Sequence, residues 1–318
     1  MFRLCFTVVA FALLSTGVLA GTLRVGPLQA LKFPSQAALI AKRGDVIEID
    51  AGDYRGDVAV WRADNLTIRG VNGMVHLRSA GVVAMGKAIW VIKGNHTSIS
   101  HIAFYDARAK DRNGAGIRLE GMGLTVRYCL FRDNENGILT GASRESEVLV
   151  ENSEFDHNGF GDGRSHNLYI GAIRKFTLRN SHSHRARIGH QVKSRAAENV
   201  IVGNVLEDGP SGHSSYLIDL PAGGVALISG NTLRKGPLAE NSTMVSYGAE
   251  KMLYPRNSLS VWDNAFINGR PGRCILVNIK KSPPMPADVR GNRFTGCNSF
   301  LGPVTALNNS FNDQQLSR

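Results

Sequence analysis

The sequence predicts an all-β chain wound into a solenoid of parallel sheets behind a short N-terminal capping helix. Three observations predict it. Glycine is abundant, 35 of 318 residues, and long periodic apolar runs are few, which argues against a helical protein. Short apolar runs of strand character return after every turn. The interval between equivalent runs stays within a narrow band, as expected of one unit repeated rather than a string of unrelated elements.

The chain opens on Arg3, an apolar run from Leu4 to Leu14, and small residues at Val18 and Ala20. These are the charged, apolar and cleavage regions of an export signal, expected over residues 1–20. The run is shorter than the roughly 20 apolar residues of a spanning helix, and no later segment reaches that length, so no stable membrane insertion is expected after cleavage. The mature protein is expected to be secreted or periplasmic and monomeric. Loss of Arg3 takes the net charge from +11 to about +10, and loss of Cys5 leaves Cys129, Cys274 and Cys297. A basic exported protein meets anionic polymers, though charge alone selects none of them. Cys274 and Cys297 fall in the last two repeats and are either a staple at that end or two buried thiols.

From Lys32, KFPSQAALIAKRGDVIEIDAGDY reads as a short amphipathic helix with Ser35 as its cap, a turn at Gly44-Asp45 and a strand from Val46 to Ile49. Strand runs then recur as NLTIRG, TSISHIAF, LTVRYCLF, VLVENSEF, FTLRNSHS, VIVGNVLE, ALISGNTL, LSVWDNAF and ADVRGNRF. Taking Ile68, Ile99, Val126, Val150, Leu178, Val202, Ile228, Val261 and Val289 as equivalent gives a step of about 24 to 33 residues, a solenoid period. Most units carry a second run: GIRLEG at Gly116, GILTGA at Gly137, HNLYIG at His166, HQVKSR at His190, SYLIDL at Ser215 and CILVNI at Cys274. With no helix between runs, the unit is a coil whose apolar face only its neighbours can cover. Residues 21–312 are therefore expected to form a single domain, and 313–318, with little apolar content, a frayed tail.

An asparagine follows the anchor by two residues at Asn152, Asn180 and Asn204, and by three at Asn231, Asn264 and Asn292. Asparagines stacked at a bend pass amide hydrogen bonds from coil to coil and tolerate left-handed backbone. The offset after Asn204 predicts a change of coil shape there. From the helix and first strand at Lys32 to Ile49, through the Asn-bearing coils to about Asn312, the pattern resembles the right-handed parallel β-helix superfamily typified by pectate lyases. That resemblance is one of architecture. It implies a helix plugging the N-terminal end, and an acidic polysaccharide bound or cleaved along one parallel sheet. A polygalacturonase set of three close aspartates with a downstream Arg-Ile-Lys is absent, which weakens a hydrolase reading.

The unusual chemistry is concentrated between Gly161 and Gly224, with five of the nine histidines. Strand residues alternate faces, so with Leu168, Ile170, Val192, Ser194, Tyr216 and Ile218 inward, the outward set is Asn167, Tyr169 and Gly171, then Gln191, Lys193 and Arg195, then Ser215, Leu217 and Asp219. Equal coils place Lys193 between Tyr169 and Leu217, and Arg195 between Gly171, which leaves room for a ligand, and Asp219. Two cations on one face make a lysine easier to deprotonate. Abstracting a proton alpha to a carboxylate needs a base and a cation holding that carboxylate, the roles assigned to Lys193 and Arg195. On a uronic-acid polymer the outcome is β-elimination, with Tyr169 or His190 protonating the departing oxygen. Asn167, Gln191, Asp219, His166, His213 and Ser215 complete the candidate substrate-binding set. Tyr247 and Glu250 on one side, or Arg118 and Glu120 on the other, would extend it.

The same residues admit plainer accounts. Arg195 and Asp219 as an exposed ion pair are worth about 0 to 1 kcal/mol and need no substrate. A basic strip that holds an acidic chain without breaking it is a carbohydrate-binding module. A C5 epimerase removes the same proton and returns one from the other face, with His190 or His213 as second acid. A glycoside hydrolase needs two close carboxyl groups, for which only Asp219 with Asp162 or Asp208 offers. His182, His184, His166, His190 and Asp162 have no spacing that fixes a zinc site, and Asp162, Asp208 and Asp219 are too dispersed to support calcium, so no cofactor or metal is assigned. Export and few outward aromatics argue against nucleic acid.

Overall fold

The computed structural model describes residues 20–316 apart from 282, 284 and 313. The expected export signal thus falls almost entirely outside the described residues. Parallel strands stack coil upon coil into a β-solenoid, with one ten-stranded sheet and a larger sheet that bends through two lanes. The second runs read from the sequence form the ten-stranded sheet: Ala115–Leu119, Asn136–Thr140, Leu168–Ile170, Val192–Ser194, Ile218–Leu220 and Ile275–Ile279. Residues 314–316, within the expected tail, fold back antiparallel on Asn309–Phe311.

The core is a set of columns running along the axis. In one, Ile47, Ile68, Ile99, Val126, Val150, Leu178, Ile201, Ile228, Val261 and Val289 pair in register and are fully buried. In another, the rings of Phe104, Phe131 and Phe155 stack at 5.0 and 4.7 Å. Each such side chain gains about 1.5–3 kcal/mol from burial, but only because the next coil supplies the cover.

The column corrects one anchor. Ile201, not Val202, pairs with Leu178 and Ile228, so the bend after each anchor from Ile99 to Val289 has the same length. Two residues on, the backbone is left-handed at His101, Tyr128, Asn152, Asn180, Gly203, Gly230, Asp263, Gly291 and Asn308. Three residues on runs a buried polar ladder: Cys129, Ser153, Ser181, Asn204, Asn231, Asn264, Asn292 and Asn309. Each backbone N–H there donates to the side-chain oxygen one coil later, from Cys129 to Ser153 at 3.2 Å through to Asn292 to Asn309 at 2.9 Å. Asn152 and Asn180 are turn residues, not rungs, and no change of coil shape follows Asn204.

The N-terminal end is plugged by the helix Pro34–Ile40, which buries Pro34 and Ala37. Ser35 is not its cap: the helix starts at Pro34, and Gln36 Oε1 accepts the Phe33 N–H at 3.1 Å. The expected strand from Val46 runs on to Arg55. At the other end a disulfide joins Cys274 to Cys297, while Cys129 is free and buried. No helix among the described residues is long and apolar enough to cross a membrane.

Candidate functional site

On the outward face of the ten-stranded sheet one column reads Val60, Val91, Arg118, Leu139, Tyr169, Lys193, Asp219, Ser246, Asn278, Leu301. Lys193 therefore sits between Tyr169 and Asp219, not Leu217, which is buried in the main core. The alternation holds for Tyr169, Lys193 and Asp219 but not for Leu217, Asn167 and Gln191, expected outward but buried, and the third coil carries two extra residues before its strand, which shifts the register by two. Neighbouring positions are about 4.8 Å apart, the strand spacing.

Lys193 Nζ lies 3.6 Å from Asp219 Oδ2 and 3.9 Å from Glu250 Oε1. Arg195 does not meet Asp219. Its Nε and Nη2 donate to both oxygens of Glu250 at 2.8 and 2.7 Å, and its Nη1 donates to the Tyr169 hydroxyl at 3.1 Å. Glu250 holds the Arg195 guanidinium above its ordinary range, and Arg195 in turn holds the Glu250 carboxyl below its own. The repulsion expected between Lys193 and Arg195 is thus offset by a carboxylate that both approach. The hydroxyl of Tyr254 donates to the Arg195 carbonyl, fixing the loop that carries Glu250 against the strand end.

Behind this row, His166 and His190 stack at 4.5 Å and Tyr216 covers His190 at 4.9 Å. His166 Nδ1 accepts the His190 N–H at 3.0 Å, and His190 Nδ1 accepts the Tyr216 N–H at 3.1 Å. Each neutral ring therefore carries its proton on Nε2. Burial holds both histidines well below the usual imidazole range, helped at His166 by His190 and at His190 by Lys193. His190 Nε2 faces Asp219 Oδ2 at 3.6 Å. Asp219 is 3% exposed. Burial raises its carboxyl above the ordinary value, against the pull of Lys193. Its Oδ1 and the His166 Nε2 are sealed from solvent without a hydrogen-bond partner.

Several expected groove residues lie elsewhere. Asn167 and Gln191 are wholly buried in an interior bend, where Asn167 Nδ2 donates to Gln191 Oε1 at 2.7 Å and Gln191 Nε2 donates to the Glu207 carbonyl at 3.0 Å. An interior amide and a groove amide look alike in the sequence. His213 is exposed beside His157 and Arg185, away from Lys193. Ser215 offers the site only its backbone, with its N–H donated to the Gly189 carbonyl at 2.7 Å. Gly171 lines the groove, but the place of its missing side chain is taken by the Gly141 carbonyl, with which a Cβ would collide. Tyr247 is buried and donates to the Gly224 carbonyl, and Glu120 pairs with Lys87 and Lys93. Asp208 is fully buried beside Lys235 and forms no carboxyl pair with Asp219 across an open groove. Glu154, Asp156 and His184 converge, but Arg132 and Arg185 already pair with Asp156 at 2.8 Å each.

An open groove of about 660 Å³ runs from Tyr169 and Arg195 toward the N-terminal coils, past Leu139 and Thr140 to Arg118 and Arg112. Comparison with known proteins adds the following. A family model described as a right handed beta helix region matches residues 55–234. A crystal structure of a pectin methylesterase mutant in complex with a hexasaccharide is similar at a TM-score of 0.34 and 12% identity, over 88% of this chain and 80% of that one. No curated protein matches the sequence.

Proposed function

The chain belongs to the right-handed β-helix family, and from that premise we propose an exported lyase that cleaves an acidic, uronic-acid polysaccharide by β-elimination. The observation that carries the reading is the in-register row of Tyr169, Lys193 and Asp219, whose Tyr169 end, with Arg195, lines an open groove. Arg195 binds the uronate carboxylate and stabilises the charge that develops there. Lys193, held by Asp219 at 3.6 Å, takes in its neutral form the proton alpha to the substrate carboxylate, and that proton later restores the Tyr169 hydroxyl. A carbon–carbon double bond forms as the glycosidic carbon–oxygen bond breaks, and the Tyr169 hydroxyl protonates the departing sugar oxygen. His190, with its proton on Nε2, orients Asp219 rather than acting as a base. The Cys274–Cys297 bridge supports an oxidising destination such as the periplasm or the exterior.

The test incubates the protein with alginate, polygalacturonate, hyaluronan and heparosan, following absorbance of new double bonds, reducing ends and retention together. Unsaturated product is expected from one of them, and Lys193→Ala should lower its release by about 10²–10⁴-fold. Undiminished release removes Lys193 from the mechanism. The second reading, a binding module, is favoured by Glu250, which already takes the Nε and Nη2 edge of Arg195. Retention with no product selects it.

A further inference from the structure

We infer that Arg118, with Arg112 and Arg164, forms a second anion subsite that holds another carboxylate of the same polymer, on the N-terminal side of Lys193. The inference rests on the polysaccharide reading and gives it a direction. Arg118 stands in the same outward column as Lys193, three strands away and so at about 14 Å. Between them lie Leu139 and Tyr169, a floor with no charge of its own for a sugar chain to cross.

Among the described residues, none of the three arginines forms a side-chain ion pair or donates a side-chain hydrogen bond, whereas Arg195, the fourth arginine lining the groove, does both. Arg118 Nε is sealed from solvent without an acceptor. A guanidinium presents five donors, and leaving them unmet in a half-buried position suits a group that arrives from outside. Arg112 lies 4.6 Å over the Phe160 ring, which limits its freedom before binding. Arg118 is the half-buried member, while Arg112 and Arg164 are exposed, as are Asp111 and Asp162 on the same groove, and Asp162 accepts the Arg164 N–H at 3.0 Å. Beyond Lys193 in the other direction the column holds Asp219, Ser246 and Asn278, with no cation. The column therefore draws an anionic chain toward the N-terminal coils.

The experiment measures the affinity of galacturonate, glucuronate and mannuronate oligomers of increasing length by calorimetry, with Lys193→Ala present throughout to prevent turnover. In this background affinity should rise steeply once an oligomer is long enough to reach Arg118. Adding Arg118→Ala should remove that rise, at least tenfold for the long oligomers, and leave the short ones unchanged. Arg118→Lys, which keeps the charge without the fork, should retain part of it and guards against a folding defect. An equal loss at every length, or no loss, overturns the subsite while leaving the Lys193 site standing. Binding of none of the acidic oligomers overturns both.

Discussion

Lys235 shows how much one side chain reports about its surroundings. It is fully buried, its ammonium donates to the carbonyls of Ser214 and Ser215, and Asp208 Oδ2 lies 3.9 Å away. Burial pulls its pKa down to about 8 from 10.5, with Asp208 opposing and Arg270 adding a little. Between those values the unfolded chain holds a proton that the folded chain has released. Stability from this group therefore rises with pH across that window, and the charged form costs stability below it. Measured as the difference between wild type and Lys235→Met in urea unfolding, the gain should emerge from about pH 8 upward. A pH-independent difference would contradict it. The alternation Thr232, Leu233, Arg234, Lys235 already points this lysine inward with Leu233, yet a lysine is ordinarily assigned to solvent. Tyr169, Lys193 and Asp219 were legible for the same reason, alternation. Their neighbour relation was not, because equal coils put Leu217 where the chain, two residues longer in that turn, puts Asp219. Glu250, the partner that decides how Arg195 sits, comes from an insertion whose path no periodicity describes.

At the scale of the element, the bend after each anchor separates two demands that the sequence blends. One position needs left-handed backbone and the next needs an oxygen facing the following coil. Asparagine meets either, so its presence does not say which it fills, and Asn152 and Asn180 were placed in the wrong one. Serine meets only the second, as Ser153 and Ser181 do. Asn231 illustrates the cost of a missing rung. Its Oδ1 accepts from Asn204 N and Nδ2 at 2.8 and 2.9 Å, and its Nδ2 donates to the Ile201 carbonyl at 2.9 Å. Asn231→Ala strands these groups in the core and should destabilise the protein by about 3 kcal/mol in denaturant unfolding. Asn231→Ser should lose distinctly less, since serine serves that slot elsewhere. Equal losses would mean that the ladder contributes only by volume.

For the whole molecule, a solenoid couples each coil only to its neighbours, so damage stays local. The Cys274–Cys297 bridge spans 23 residues of chain, and replacing both cysteines by serine should cost about 3 kcal/mol. Hydrogen exchange should show that loss in the last coils, with protection unchanged around Ile68 and Ile99. Loss spread evenly along the axis would indicate one cooperative unit instead. The repeat period and the core columns were legible because they recur, and the N-terminal plug because of its amphipathic pattern. The groove wall was not, because insertions obey no period.

The one unpaired thiol among the described residues adds a constraint of timing. Cys129 belongs to a coil completed long before Cys274 and Cys297 emerge during synthesis, and once enclosed its thiol is pushed up to about 12, which keeps it from reacting. Under oxidising conditions three sulfurs can join in three ways, and order of arrival favours the native one. A chain that coils from its N-terminal end hides the odd sulfur before its rivals appear, so slowing the early coils should yield scrambled, mis-bridged protein rather than merely less of it.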